Sequence, residues 1–371
     1  MKSRHALLVG FGIGAVAILA LGSFLGRQQV VDLAARVTGG TSSPPAESPT
    51  PAVSPIPSPT SQPQPQTPGA RASAVMVYDP ENQGLILFGG STTIPQPDGH
   101  NLGVPLDDTW LWNGASWHKL DVAGPTARGG AMAAYDSVRH EIVLFGGAGA
   151  QGVLNDTWTW DGSRWQLRDP VHKPQPRYRG CVAFDERRGV LVMVGGEGEG
   201  TKVFTSTTWT WDGTDWTMHS PGVSPPARRF AGMAYAATTG TTVLYGGTWA
   251  GRHLSDTWLW DGTTWRRGPA GPAPGWASLT YDASTQKLVG FIYRPGEVGS
   301  VRLIAWDGSK WAQESSAGSF PGPRAQAAVA YDSANATVVV YGGMYIDPVP
   351  YAETWVWSGT TWSLSEPTVG A

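Results

Sequence analysis

Cysteine is almost absent from this sequence, in which Cys181 is the single thiol among 371 residues. One cysteine excludes an intrachain disulfide framework and a zinc site built from thiolates. Charge is also sparse, because 26 Lys and Arg stand against 29 Asp and Glu, for a formal net charge of −3. No basic stripe runs along the chain, so we expect no nucleic-acid partner.

Motifs of common enzyme classes are missing as well. The chain has no P-loop, no H-E-x-x-H pattern and no G-x-S-x-G elbow. The histidines beyond the N-terminal region are scattered, and no pair has the spacing of metal ligands: His100, His118, His140, His172, His219 and His253. We therefore expect a non-catalytic protein without cofactor or metal. The alternative is a carbohydrate-active or redox enzyme on the same scaffold.

One long apolar run does occur, at the N-terminus. Residues 6–25 carry no charge, and as a helix they would span about 30 Å, the thickness of a bilayer core. Lys2 and Arg4 precede the run, so the positive-inside rule keeps residues 1–5 in the cytoplasm and exports the rest. We predict a single-pass transmembrane signal anchor over residues 6–26. The alternative is a cleaved signal peptide and a secreted protein.

A proline-rich segment follows the anchor. Residues 27–69 begin with a short polar or amphipathic stretch and continue, from residue 38, as a nearly uncharged run rich in Pro, Ser, Thr and Gln. Such a composition builds no hydrophobic core and favours an extended, semi-rigid spacer. We predict a linker that holds a folded domain, residues 70–371, away from the membrane.

A repeat, W-x-W-(D/N/S)-G-x-x-W, organises the chain from residue 70 onward. Its middle tryptophan recurs at intervals of 46 to 51 residues, as Trp112, Trp160, Trp211, Trp260, Trp306 and Trp357. Of the 19 tryptophans, 17 occupy motif positions, and the two exceptions are Trp249 and Trp276. A period near 50 residues indicates an array of similar structural units.

Each copy of the motif predicts a β-hairpin. Asn-Gly or Asp-Gly between apolar runs is a strong hairpin signal and is typical of a two-residue type I′ turn. In the first copy, a turn at Asn113-Gly114 would place Trp110 opposite Trp117 and leave three indoles on one face of the ribbon. Three indoles left in water are unfavourable, so we expect them to pack against a neighbouring sheet.

Each unit contains four short strand-like segments, which predicts one antiparallel sheet per unit. Six such sheets at regular spacing favour an all-β, six-bladed β-propeller. The expected blades cover about residues 70–120, 121–168, 169–219, 220–267, 268–314 and 315–366. No blade is split between the two ends of the array. We therefore expect the ring to close by packing of blade 6 on blade 1, helped by residues near Ala70 or after Leu364.

The repeat resembles the kelch family, whose marks are an apolar strand that ends in Gly-Gly and a tryptophan beyond the third strand. The glycine pairs are Gly89-Gly90, Gly146-Gly147, Gly195-Gly196, Gly246-Gly247 and Gly342-Gly343. The fifth unit departs from the pattern with Gly290-Phe291. The resemblance implies a propeller fold and says little about activity, because kelch propellers serve many functions.

The resemblance also requires that a copper-oxidase activity be considered, because galactose oxidase contains a kelch-type propeller. That chemistry, as the family is known, needs His and Tyr ligands and a Tyr–Cys cross-link. Cys181 falls within the expected first strand of blade 3, where a small buried residue is the simpler interpretation. We therefore expect a galactose-oxidase-like propeller without the copper site.

Two sets of loops leave opposite faces of a four-stranded blade. The turns between strands 1 and 2 and between strands 3 and 4 are short here, whereas the strand 2–3 loops and the inter-blade connections are longer and more varied. Binding residues of a rigid scaffold usually lie on such loops. We call this side the long-loop face and predict that a protein, a peptide or a glycan binds there.

An arginine stands seven residues before the aromatic residue that closes the first strand in five units: Arg71, Arg128, Arg177, Arg228 and Arg324. First strands line the channel of a propeller, so these positions predict a broken arginine ring at its long-loop mouth, suited to an acidic peptide or charged sugar. The alternative is structural, with the arginines paired to acidic residues that open the third strands: Asp108, Asp156, Asp256 and Glu353.

Unit 5 lacks the arginine and has Pro274 in its place, with Trp276 close by. Further candidate ligand-binding residues on this face are Trp249, Arg252, His253, Trp276, Tyr293, Tyr345 and Tyr351. Two off-pattern tryptophans on adjacent blades would stack on a sugar ring or grip a peptide. In the alternative interpretation, Trp276 fills the space of the absent arginine and the loop of unit 6 packs locally.

Overall fold

The computed structural model describes residues 67–95, 101–200, 205–294, 302–314, 321–345 and 349–365. Over these ranges the chain forms strands and turns without a helix. None of them therefore supplies a helix with the length and apolarity that a membrane crossing requires. The predicted cytoplasmic tail (1–5), the anchor (6–26) and residues 27–66 of the linker lie outside the described residues.

Six antiparallel sheets follow one another along the described chain, and each is one blade. Blade 1 contains β1 (Val75–Asp79), β2 (Gly84–Phe88), the added hairpin β3 (Ser91–Pro95) and β4 (Asn101–Pro105), β5 (Thr109–Trp112) and β6 (Trp117–Leu120). Blade 2 contains β7 (Arg128–Gly129), β8 (Met132–Asp136), β9 (Glu141–Gly149), β10 (Gly152–Trp160) and β11 (Trp165–Arg168). Blade 3 contains β12 (Cys181–Asp185), β13 (Val190–Val194), β14 (Thr208–Trp211) and β15 (Trp216–His219).

The remaining blades repeat the same order. Blade 4 contains β16 (Gly232–Ala236), β17 (Thr241–Tyr245), the short hairpin β18 (Thr248–Trp249) and β19 (Arg252–His253), β20 (Thr257–Trp260) and β21 (Trp265–Arg267). Blade 5 contains β22 (Trp276–Asp282), β23 (Lys287–Tyr293), β24 (Arg302–Trp306) and β25 (Trp311–Glu314). Blade 6 contains β26 (Ala328–Asp332), β27 (Thr337–Tyr341), β28 (Thr354–Trp357) and β29 (Trp362–Ser365). The all-β, six-bladed propeller is confirmed.

The first full strand of every blade borders a central channel. Residues of β1, β8, β12, β16, β22 and β26 line one shared cavity of about 400 Å³. Within each blade the strands pair in chain order, from this inner strand outward. The chain therefore reverses direction at each step, and the strand 2–3 loops and inter-blade connections emerge together on the long-loop face.

The turn of the tryptophan hairpin differs from the predicted one. Trp112 pairs directly with Trp117, so the loop has four residues instead of two. The side-chain oxygen of Asn113 accepts hydrogen bonds from the amides two and three residues later, at 3.0 and 2.9 Å. Within this loop only Gly114 has a positive φ, +92°. Because a side chain closes the turn, Asn113 needs no left-handed conformation, and the type I′ assignment is wrong.

Aspartates close the same turn in four other blades: Asp161, Asp212, Asp261 and Asp307. Asp261 accepts from the amides of Thr263 and Thr264 at 2.9 and 2.8 Å. We expect Asp261→Ala to lower the free energy of unfolding by about 1 kcal/mol, because both amides lose their acceptor. Asp261→Asn should retain most of that stability, since blade 1 uses Asn113. Urea unfolding measures both variants, and equal losses would contradict this role for the turn.

The tryptophans of each blade pack against the preceding blade. Trp258, Trp260 and Trp265 of blade 4, for example, share one buried cluster with β12 and β13 of blade 3. The indole of the fourth strand also donates a hydrogen bond of 2.8–3.1 Å to a threonine of the preceding blade, in the pairs Trp117–Thr354, Trp165–Thr109, Trp216–Thr157, Trp265–Thr208 and Trp311–Thr257. Apolar burial and a directional bond thus set the position of each blade on its neighbour.

Backbone hydrogen bonds join the blades around the channel on its long-loop side. Each bond runs from an amide of one blade to a carbonyl of the preceding blade, over 2.7–3.1 Å. The amide–carbonyl pairs are Ser73–Gln326, Gly130–Ser73, Arg179–Gly130, Phe230–Arg179 and Ala277–Phe230. The first bond connects blade 1 to blade 6. The Tyr341 hydroxyl of blade 6 also donates to the Gly69 carbonyl at 2.8 Å. The ring therefore closes by packing and by contacts of residues near Ala70, as expected.

Candidate functional site

The five patterned arginines lie on the long-loop side, but their guanidinium groups are inside the blades. None is more than 6% exposed. Each Nη1 donates to the carbonyl of the first glycine in the Gly-Gly pair of its own blade, at 2.9–3.3 Å. The expected ring of guanidinium groups at the channel mouth is therefore not formed. The side chains extend across the second strand of the blade, a direction that residue spacing alone does not reveal.

Four of these arginines are paired with acidic residues, as the structural alternative predicted. Arg228 holds both oxygens of Asp256 at 2.8 Å, and the Trp258 indole donates to the same carboxylate at 2.7 Å. The other pairs are Arg71–Asp108, Arg128–Asp156 and Arg324–Glu353. Burial alone would raise the pKa of Asp256, but the bonds from Arg228 and Trp258 hold it below its usual value. The burial and pairing favour a structural role for these four.

Blade 3 lacks the carboxylate. Its equivalent residue is Thr207, whose hydroxyl accepts from Arg177 Nη1 at 3.1 Å and from Trp209 Nε1 at 3.3 Å. Burial lowers the pKa of Arg177 to about 10. Because that value is still well above neutral pH, the Arg177 side chain carries its charge without a carboxylate beside it.

The residue two positions after the arginine borders the long-loop mouth of the channel. In five blades this residue has a left-handed backbone, with φ between +56° and +67°: Ser73, Gly130, Arg179, Phe230 and Gln326. Such values are uncommon for residues other than glycine and tend to persist where surrounding contacts hold the backbone. Blade 5 places Trp276 at this position, within the extended strand β22.

Four aromatic residues from blades 4, 5 and 6 meet there and form what we call the aromatic mouth: Phe230, Trp276, Tyr293 and Tyr345. Phe230 stacks on Trp276 with ring centroids 4.2 Å apart. Trp276 contacts Tyr293 at 5.8 Å, and Tyr293 contacts Tyr345 at 6.3 Å. A cavity of about 70 Å³ opens between blades 5 and 6, lined in part by Phe230, Trp276 and Tyr293. Three of the predicted residues, Trp276, Tyr293 and Tyr345, are thus brought together.

Two arginines that the sequence reasoning missed border this mouth. The Arg179 and Arg229 guanidinium groups lie 4.9 and 5.2 Å from the centre of the Phe230 ring. Glu197 accepts from Arg229 at 2.5 Å and lies 3.7 Å from Arg179. Arg179 and Phe230 each lie two residues after a repeated arginine. This fixed offset could have identified them, because equivalent residues of successive blades lie around one axis.

The other predicted residues lie in different surroundings. Tyr351 sits beneath the guanidinium of the buried Arg324, 4.6 Å from it. Trp249 and Arg252 are cross-strand partners in the β18–β19 hairpin, and Trp249 is 43% exposed. His253 follows them, and burial, followed by the charge of Arg294, lowers its pKa. Among the described residues, no ring contact joins Trp249 to the aromatic mouth.

The opposite end of the channel carries a collar of aromatic residues that sequence reasoning used only as strand markers. One residue comes from each blade: Tyr78, Tyr135, Phe184, Tyr235, Tyr281 and Tyr331. Burial is the main cause that raises the pKa of Tyr78, Tyr135, Tyr235 and Tyr331. These phenols are therefore neutral at physiological pH and supply hydroxyl groups and apolar rings at that end.

Cys181 has the buried position that the sequence indicated. Its thiol donates to the Ala231 carbonyl at 3.0 Å, and burial raises its pKa to about 12. The thiol is a packing residue between β12 and blade 4. Across the ranges that the structure describes, no three His, Cys, Asp or Glu side chains converge as metal ligands would.

Comparison with known proteins agrees with this geometry. Residues 103–270 match the family model of the KLHDC2/KLHL20/DRC7 Kelch-repeats domain. A search of curated proteins finds no match. The matched segment runs from β4 to just beyond β21. Together with the six-bladed arrangement, it confirms the kelch resemblance of the repeat.

Proposed function

We propose that this kelch-repeat propeller is a non-catalytic module that binds a partner protein through the aromatic mouth on its long-loop face. The kelch match supports the broad assignment as a protein-binding propeller. The finer assignment rests on one observation: the buried Tyr293 and the partly exposed Phe230, Trp276 and Tyr345 cluster beside two arginines, where blade 5 departs from the repeat. An enzyme of carbohydrate or redox type is the alternative.

The composition of the mouth suits a protein partner. Binding hot spots are enriched in Trp, Tyr and Arg, because these side chains offer large contact areas with polar edges. Phe230 and Trp276 are held by their mutual stacking, and the inter-blade hydrogen bonds fix the backbone beneath them. A preorganised surface loses little side-chain entropy on binding.

The shape and charge of the mouth favour a particular kind of segment. The cavity between blades 5 and 6 has room for a small apolar side chain, with Trp276 and Tyr293 in its wall. The Arg179 guanidinium lies 4.9 Å from the centre of the Phe230 ring, so a cationic group stands beside the aromatic cluster. We therefore expect a peptide segment with an apolar residue followed or preceded by an acidic one.

Selection from a peptide-display library tests the proposal. We expect enriched peptides to bind the full chain, and Trp276→Ala to weaken that binding at least tenfold, the effect of removing a hot-spot residue. Trp249→Ala is the matched control, because Trp249 is exposed outside the mouth, and its affinity should stay near the wild-type value. Equal binding by wild type and Trp276→Ala, or selective binding on a glycan array instead, would contradict a protein-binding mouth.

We further propose that residues 6–26 anchor the propeller at the outer side of the cell membrane. The supporting features are the uncharged run, the preceding Lys2 and Arg4 and the proline-rich linker. Protease added to intact cells should cleave within residues 27–69 and release the propeller. An N-terminus of the mature protein near Ser23 would show cleavage and secretion instead, and protection from the protease would contradict export.

A further inference from the structure

We infer that blade 3 contains a binding site for a carboxylate group of a peptide ligand, centred on Arg177 and Trp209. The inference is independent of the aromatic mouth, because these two residues lie within blade 3 and contact none of the four aromatic residues. It rests on a comparison of equivalent positions within one chain.

The other blades show what this position binds. In blades 1, 2 and 4 the arginine donates through both terminal nitrogens to one aspartate, and the Trp of the third strand donates to the second oxygen of that aspartate at 2.7 Å. In blade 6 a single oxygen of Glu353 accepts from Arg324 Nη2 at 2.7 Å and from Trp355 Nε1 at 2.9 Å. An arginine and an indole N–H thus form a carboxylate receptor that is filled internally in four blades, through an arginine fork in three of them.

In blade 3 this receptor is only partly filled. Thr207 supplies one oxygen, which accepts from Arg177 Nη1 and Trp209 Nε1. Arg177 Nε donates to the Gln175 carbonyl at 3.0 Å. Arg177 Nη2, whose counterpart in blade 4 donates to Asp256, makes no hydrogen bond to the described part of the chain. A threonine has one oxygen where an aspartate has two, so the second acceptor is missing.

The Arg177–Thr207 pair borders an open cavity. Arg177, although only 1% exposed, lines a cavity of about 560 Å³ together with Thr207, Trp209 and Met218. Two cationic side chains, Arg177 and Lys173, line the wall. Lys173 is paired with Asp169 at 2.6 Å, whereas Arg177 has no carboxylate partner among the described residues. A buried cation beside an open cavity without a counter-charge attracts an anion from solution.

The lining also selects the type of anion. Met218 is 54% exposed and, with Trp209, adds an apolar wall next to the cationic one. A carboxylate on an aliphatic or peptide chain would contact both the cation and the apolar side chains. A small inorganic anion would contact only the cation. The two peptide sources of a carboxylate, a C-terminus and an acidic side chain, offer the same two oxygens.

Calorimetric titration of the full chain with small carboxylates tests the site. The probes are N-acetylglycine for a C-terminal carboxylate and N-acetyl-aspartic acid α-amide for a side chain, with sodium sulfate at matched ionic strength as the third titrant. We expect saturable binding of at least one carboxylate in the wild type. Thr207→Asp should weaken it at least tenfold, because the new carboxylate fills the receptor as Asp256 does in blade 4.

Matched variants separate this site from general effects. Thr207→Val also removes the hydroxyl but adds no charge, so it should keep affinity within about threefold of the wild type. Arg177→Lys keeps the charge and loses the fork, and it should bind at least tenfold more weakly. Absence of binding in the wild type, equal binding by Thr207→Asp, or sulfate binding as tight as carboxylate, the mark of an adventitious ion only, would overturn the inference. Preference between the two carboxylate probes identifies which peptide group the site accepts.

Discussion

Replacement of Trp260 with alanine is expected to lower the free energy of unfolding by about 3–5 kcal/mol. Trp260 is 0% exposed and lies in the buried cluster between blades 3 and 4, in contact with the Trp265 ring at 5.2 Å. Its indole nitrogen makes no hydrogen bond to the described residues, so the loss arises from packing. Because natural domains are stable by only about 5–15 kcal/mol, one such cavity removes a large share of the total.

Urea unfolding followed by far-ultraviolet circular dichroism measures this loss without relying on tryptophan fluorescence. Trp249→Ala is the matched control, because it removes the same side chain from a position that is 43% exposed. We expect the control to change the free energy of unfolding by less than about 1 kcal/mol. A loss below 1 kcal/mol for Trp260→Ala would mean that the interface between blades 3 and 4 does not depend on the motif tryptophan.

Asp256→Ala is expected to destabilise the propeller by about 3 kcal/mol, because it leaves the Arg228 guanidinium buried without its counter-charge. The estimate is at the low end for a broken buried pair, since the Asp256 side chain is 24% exposed while that of Arg228 is 0% exposed. The Trp258 indole loses its acceptor in the same substitution. The effect is read from the shift of the urea midpoint at neutral pH.

Thr207→Asp provides the opposite change in blade 3. It places a carboxylate beside Arg177, which has none, and should therefore raise the urea midpoint. Thr207→Val is the control for loss of the hydroxyl, and it should not stabilise. A decrease in stability for a folded Thr207→Asp variant would contradict the equivalence of the blade positions on which this comparison depends.

The pH dependence of the Arg228–Asp256 pair has a defined sign. The pKa of Asp256 is lowered in the folded state, so the pair contributes fully above the unfolded-state pKa of about 3.9 and loses its contribution as the pH falls through the lower folded-state value. The difference in stability between wild type and Asp256→Asn should therefore be present at pH 7 and disappear in strong acid. A difference that persists there would indicate a cause other than the charge.

Part of the candidate site could be found from residue spacing. Trp276, Tyr293 and Tyr345 depart from the repeat in the neighbouring blades 5 and 6, and the structure joins them through ring contacts. Arg179 and Phe230 could not be found in this way, because the residue type at their position differs from blade to blade and belongs to no motif. Their relation becomes visible only when equivalent residues of successive blades are brought around one axis.

The hairpin turn shows a second limit of local reasoning. Asn-Gly and Asp-Gly indicate a turn correctly, but the number of loop residues depends on which strand residues pair. The Trp112–Trp117 pairing and the side-chain acceptor of Asn113 together favour a four-residue loop. Turn residues limit the backbone conformation, whereas the register also reflects how the indoles pack on the preceding blade.

The sequence alone determined the repeat, the six all-β blades, the long-loop face and the burial of the motif tryptophans, because the repeat spacing and the apolar pattern of each strand can be read directly along the chain. The tertiary structure decided where the charged groups point and what they meet. Arg228 and Asp256 are 28 residues apart in the chain, and Arg177 meets Thr207, 30 residues away, where Arg228 meets an aspartate. Such partners depend on how strands are brought side by side, so the missing carboxylate beside Arg177 and the contacts of Arg179 and Phe230 at the aromatic mouth became visible only in the folded chain.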